Sequence, residues 1–334
     1  MGAVKTRPKL KHFLLVLFLL GAAPAKPGRA ETLRLEKSVD AMGSTYSMAV
    51  YGDDRQKMER AVEAAFDEVA RLDDLLSNYK PASEWSRVNQ RAAEGPVEVS
   101  PELFRLLSDC QAYSRASVGA FDITVGPLMK LWGFYKGSGR LPHRAEVQAA
   151  LAKVGWRHVI LDAAAQTVRF DRKGVEMDPG GIGKGYAVGR MVEVLKQYGI
   201  ACALVSGSGS SIYGLGTPPA EPKGWKVEIR DPKSPARTIA TVYLNNESMS
   251  TSGNYEKFFR AEGRVWSHIM DPRTGYPAPG MLSVSVIAPR ALDSEAWTKP
   301  VFINGRRWAA QHKPQGFRAF LCEDRTEQTC AWLP

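Results

Sequence analysis

Four stretches of the chain combine residue types able to handle a phosphate-bearing ligand. The densest is Asp178-Pro-Gly-Gly-Ile-Gly-Lys-Gly185. Glycines such as Gly181 let a backbone approach a ligand closely, and amides at a helix start suit a phosphate. Lys184 would add a charge-assisted contact. The spacing is neither GxGxxG nor GxxxxGKS/T, so the standard dinucleotide and P-loop readings lack their patterns. A tight turn capping a helix would account for the same glycines. Ser206-Gly-Ser-Gly-Ser-Ser211 could shape a ligand cavity or form a flexible loop. A third cluster joins Thr251-Ser252-Gly253-Asn254-Tyr255 to Ser267–Gly275, where His268 precedes an Asp271-Pro turn and a Thr274-Gly turn. A lone histidine is more often structural, and no Gly-x-Ser-x-Gly elbow accompanies it. The fourth, Asp293-Ser-Glu-Ala-Trp-Thr298, gathers the hard oxygen donors Asp293, Glu295 and Thr298. Magnesium held by carboxylate, hydroxyl and substrate phosphates would fit that set. An acidic helix start capped by Asp293 would read the same way.

Positioning these loops requires both helices and strands. Apolar residues at Met58, Val62, Ala65, Phe66, Val69, Leu72 and Leu76 predict a long amphipathic helix over 56–76. Ser100-Pro101-Glu102 reads as the start of another, with Pro at the first helical position. Further helices are expected over about 144–153, 184–197 and 293–299. Short strands are expected within 42–51 and at 159–161, 168–170, 201–205, 226–229, 239–244, 265–270 and 282–288. No internal repeat or low-complexity linker divides the chain. The mixture predicts one compact α+β domain.

Lys5, Arg7, Lys9 and Lys11 precede the apolar run Phe13–Leu20, and Ala23-Pro-Ala25 follows. This pattern predicts a secretory signal peptide over 1–25 and export. Residues 26–38 read as a polar leader. Cleavage after Ala25 removes four basic side chains and no acidic one, taking the net charge from +10 to +6. That modest balance, without a zinc finger or a dense basic patch, excludes a nucleic-acid binder. It suits a phosphate-bearing small molecule or proximity to an anionic membrane surface. Cys110, on an apolar helix face, and Cys202, in an apolar strand, are expected as buried thiols. A local disulfide between Cys322 and Cys330 is expected in an oxidising compartment.

Taken in order, several pieces resemble the ApbE-type FAD:protein FMN transferases. They are Met42-Gly-Ser-Thr45, Leu76-Ser-Asn-Tyr79 with 83–89, and Ala120-Phe-Asp-Ile-Thr-Val-Gly-Pro127 with Leu131-Trp-Gly133. Then follow 178–187, 251–255 and 268–277. The resemblance runs from about Met42 to Gly305. It implies a single ApbE-like domain over 39–334, with mixed or antiparallel sheets, flanking helices and a loop-rich ligand-binding cleft. It also implies a periplasmic enzyme that uses FAD and Mg2+ and esterifies FMN to a Thr or Ser hydroxyl, releasing AMP. The acceptor would be a flavoprotein subunit of a membrane redox system. Some relatives instead hydrolyse FAD to FMN and AMP, and a non-catalytic flavin-binding protein is the third reading.

Carried over position by position, the resemblance implies flavin-nucleotide contacts at Met42, Tyr79, Ala120, Phe121, Asp122, Asp178, Gly181, Lys184, Ser252, Gly253, His268 and Thr274. It places His268 and Lys184 at the reacting phosphate, and the Gly181 carbonyl among the metal ligands. One departure stands out. The family's usual Asp, with Thr four positions on, falls on Glu295 and Lys299 when anchored at Phe302 and Gly305. A slipped register would use Asp293 and Thr298 instead. The stretch 206–211 also lacks the family's Gly-Gly-acidic pattern.

Overall fold

The computed structural model describes residues 32–135, 137–325 and 329–334. The expected signal peptide lies outside them. The polar leader is corrected at its C-terminal end, because Leu33–Ala41 forms an edge strand. It pairs antiparallel with Ser44–Gly52 through the two-residue loop Met42-Gly43. Both loop residues have positive φ, 51° and 66°. That geometry matches the right-handed twist of a tight hairpin and holds Met42 in the left-handed region.

This hairpin begins an eight-stranded sheet. In spatial order the strands are Leu33–Ala41, Ser44–Gly52, Cys202–Gly207, Ser211–Leu215, Glu247–Gly253, Met281–Ala288, Arg318–Glu323 and Thr329–Trp332. Spatial order follows chain order, and every neighbouring pair is antiparallel. The last two strands are joined by a Cys322–Cys330 disulfide.

The helices are α1 (Arg55–Leu76), α2 (Glu84–Arg91), α3 (Pro101–Ala116), α4 (Gly126–Leu131), α5 (Arg144–Leu151), α6 (Gly183–Gln197) and α7 (Ala291–His312). α1 begins where the Asp54 side chain accepts from the Lys57 amide, and its apolar stripe is buried as expected. That stripe packs with Val188, Met191 and Leu195 of α6 over Tyr46, Met48 and Val50. The opposite face of the sheet is covered by the hairpin Trp225–Asp231/Ser234–Leu244, through Val227, Ile229, Val242 and Leu244. A smaller sheet of Val97–Glu98, Thr167–Phe170 and Val159–Asp162 packs with α2 and α3 in a further core shared with α7. The single α+β domain expected from the sequence is the observed architecture.

Two elements differ from expectation. The strand expected over 265–270 is interrupted: Arg264–Ser267 and Met270–Asp271 flank His268 and Ile269. α7 is far longer than 293–299. It continues past Pro300 and breaks its helical geometry at Gly305, where φ is 76°. Cys110 is buried, but Cys202 is only half-buried, its thiol directed at the Thr217 carbonyl. It stands at the start of an internal strand, where it packs only partly against the core under the Trp225–Asp231 hairpin.

Candidate active site

The glycine-rich turn is held by Asp178. Its Oδ1 accepts from the Gly180 amide at 2.6 Å, and its Oδ2 accepts from the Tyr135 hydroxyl and from Asn78 Nδ2. Burial raises the Asp178 pKa, opposed by the Tyr135 and Gly180 hydrogen bonds. Asp178 thus shapes the loop that leads into α6. The first-turn amides of a helix have no intrahelical partner. Here the Gly185 amide is satisfied by Glu295 Oε2 at 2.5 Å. Gly185 is required, since a Cβ there would sit 2.4 Å from the Ala291 carbonyl oxygen. Gly183 and Lys184 are the first two residues of α6, which has no side-chain cap.

Around this helix start the side chains form one wall. The Met42 methyl lies 3.7 Å from where a Cβ on Gly183 would stand, and its sulfur accepts from the Tyr46 hydroxyl. Phe121 and the Lys299 stem each lie 3.6 Å from the corresponding point on Gly181. Lys184 is half-buried. Tyr79 is 75% exposed and meets Tyr135, the partner of Asp178, edge-on. A shallow cavity of about 570 Å3 adjoins this region, lined by Asp40, Met42, Thr45, Asp73 and Ser208. The stretch 206–211 contributes there as a hairpin turn, with the Ser208 hydroxyl accepting from the Thr45 amide.

His268 faces the site from the break between its two strands. Its backbone N–H donates to the Lys257 carbonyl at 3.0 Å, and Nδ1 lies 3.1 Å from the same oxygen. A carbonyl only accepts, so Nδ1 carries the hydrogen and Nε2 presents a lone pair. Burial draws the His268 pKa down to about 4. The Lys257 carbonyl opposes this, and the charges of Lys299, Lys257 and Lys184 reinforce it. Burial likewise draws Lys299 down to about 8, against the Glu295 carboxylate and with the help of Lys184. Among the described residues, none of these three lysines has a carboxylate at ion-pair distance. A neutral imidazole beside three lysines without direct ion pairs suits a polyanion.

Several expected contacts also hold the structure together. The Asp122 Oδ1 accepts from the Thr124 amide and hydroxyl and its Oδ2 from the Trp156 amide, so the carboxylate caps its own loop. Ala120 is buried beside Phe121. The Ser252 hydroxyl donates to Thr298 Oγ1 at 2.8 Å, and Gly253 lies under the Tyr255 ring. Thr274 closes its own turn, donating to the Asp271 carbonyl and accepting from the Tyr276 amide. Two residues at the site carried no local signal. Tyr135 matters through a partner 43 positions away, and Lys257 is an exposed lysine in an ordinary polar stretch.

The donor set expected for magnesium does not fit a metal. Asp293 lies two residues from Glu295, on another face of α7. There it accepts from Arg290 and the Tyr113 hydroxyl. Glu295 already accepts from Gly185. The Thr298 hydroxyl donates to the Glu295 carbonyl and accepts from Ser252. Lys299, donor-only and positive, stands against Gly181 where a cation would have to sit. No group of three His, Cys, Asp or Glu able to hold a metal occurs among the described residues.

The chain is similar to known proteins in both sequence and fold. The FAD:protein FMN transferase of Klebsiella pneumoniae (strain 342) is 34% identical over 265 residues, 78% of this chain and 79% of its own length. That of Escherichia coli (strain K12) is 30% identical over 331 residues, 95% of this chain and 92% of its own. Among solved structures, the ApbE protein of Thermotoga maritima superposes with a TM-score of 0.81 at 29% identity, covering 90% of this chain and 97% of its own. The apo flavinyl transferase ApbE of Pseudomonas stutzeri gives 0.79 at 26% identity, covering 90% and 95%. The ApbE family matches residues 42–321, and with this coverage in both sequence and fold the chain belongs to the ApbE family.

Proposed function

We infer that this chain is an FAD:protein FMN transferase that works through the cleft between the α6 start and His268. The observation that carries the reading is the convergence of Lys184, Lys257 and Lys299 on a neutral imidazole near the uncapped start of α6. The lysines and the Gly183 and Lys184 amides would hold the diphosphate of FAD. Met42, Phe121 and the exposed ring of Tyr79 offer apolar surface to the flavin. The acceptor is a Thr or Ser hydroxyl, proposed from the family resemblance to belong to a flavoprotein subunit of a membrane redox system.

In the transfer the hydroxyl oxygen bonds to the phosphorus on the FMN side. The anhydride P–O bond breaks, and its electron pair leaves with AMP. The hydroxyl proton passes to His268 Nε2, whose tautomer the Lys257 carbonyl has already set. Burial of the ring keeps that nitrogen unprotonated, and fixed cations offset charge on the phosphoryl group without reorganising. Excluding water from the acceptor's position separates transfer from hydrolysis.

Export to the periplasm is proposed from the signal-like segment, and the Cys322–Cys330 disulfide supports an oxidising compartment. No helix among the described residues is long and apolar enough to cross a membrane. The reaction is tested by incubating the protein with FAD and a Thr- or Ser-bearing acceptor domain, then reading intact mass after denaturation. Acceptor gaining the mass of FMN, with AMP released, is the expected result. FMN and AMP without acceptor modification would make the chain a pyrophosphatase, and intact FAD would leave binding alone.

A further inference from the structure

We propose that Lys299 is the resident cation of the diphosphate site, standing where the family resemblance puts a divalent metal, so that this chain binds FAD without one. The proposal rests on the transferase reading for its ligand, and on four observations for its site. The Lys299 side chain folds back along α7, its Nζ donating to the Glu295 carbonyl at 3.2 Å. That path carries the stem to the Gly181 turn, at 3.6 Å from the point a Cβ would take. The ammonium has no carboxylate at ion-pair distance among the described residues, so one of its donors is used and two remain. Finally, α7 cannot rotate it away. Ser248, Ser250 and Ser252, on one face of their strand, hydrogen-bond Ser294 and Thr298, one turn apart on the helix. Glu295 is pinned to the Gly185 amide between them.

A half-buried ammonium held this way offers a positive charge and two free donors to a dianionic diphosphate, whose own charge favours the protonated form. Unlike a metal it needs no open coordination sphere, and the site has none. Lys184 and Lys257 supply the remaining charge from the helix start and the rim.

The test is a titration of the purified protein with FAD, read by quenching of flavin fluorescence, in EDTA and then in magnesium chloride. Riboflavin, which lacks phosphate, is the control ligand. Equal FAD affinity in the two media is expected. Lys299→Met keeps the apolar stem and removes a poorly solvated charge, so it should fold at least as stably as the parent. It should bind FAD about tenfold more weakly or worse, with riboflavin affinity unchanged. Lys299→Arg should retain most of the affinity. Magnesium-dependent FAD binding by the parent protein would overturn the proposal. So would unchanged FAD affinity in Lys299→Met, or an equal loss for riboflavin, which would mark a structural lysine. If Lys299→Met loses FAD as expected but the parent never releases AMP with any acceptor, the transferase reading fails and the assignment of Lys299 stands.

Discussion

His268 accepts a proton only if it stays neutral, and its surroundings arrange this twice over. Burial and three nearby ammonium groups lower its pKa to about 4, and the Lys257 carbonyl fixes which nitrogen is bare. The acid limb of the pH–rate profile should therefore fall near pH 4 to 5, not near the 6.5 of an ordinary histidine. A limb near 6.5 would remove His268 as the proton acceptor. His268→Ala should lose about 100-fold or more in transfer rate while still binding FAD. The same depressed pKa has a cost in stability. The unfolded chain takes up the proton first, so the contribution of His268 is present above about 6.5 and is lost as pH falls toward 4. Thermal melts across that window would register it. His268 and Lys184 were legible because they sit among turn residues that have little other use. The capping role of Asp122 was not legible: a carboxylate in a loop is as good a cap as a ligand, and only the fold brings the Thr124 and Trp156 amides to it.

At the level of elements, the site depends on how α6 and α7 cross. Gly185 lies flush against Ala291, and its amide reaches Glu295 only because no side chain intervenes. Gly185→Ala would push a methyl into the Ala291 carbonyl. It should cost about 1–3 kcal/mol of stability by overpacking and weaken FAD binding by shifting the helix start. Denaturant melts and the FAD titration would measure the two effects separately. Amphipathic α1 was readable from periodicity alone, since its stripe faces one continuous core. α7 was not, because it is buried on most faces, carries Pro300 and hides its register in serine and threonine hydroxyls. The break at His268 was equally invisible, as Val265 to Met270 alternates like an ordinary strand.

Across the whole molecule, the sheet separates stability from chemistry. The Cys322–Cys330 disulfide closes a short loop at the sheet edge, among residues that contribute nothing to the cleft. Reducing it should lower the melting temperature, with a stability loss of about 2–3 kcal/mol, and leave FAD affinity unchanged. A parallel loss of affinity would mean that the edge and the cleft are coupled. The α+β class and the single domain were legible from the mixture of periodicities. The strand order was not, since nothing local says which strands leave the main sheet for the smaller ones and which rejoin it. The Ser44–Gly52 strand waits for Cys202–Gly207 across roughly 150 residues of chain, a closure whose entropy must be met before its contacts form. Met42 precedes that excursion, Lys184 lies within it and Lys299 follows it. During synthesis the cleft thus cannot assemble until α7 has emerged, so FAD capture by the growing chain should begin only after that point.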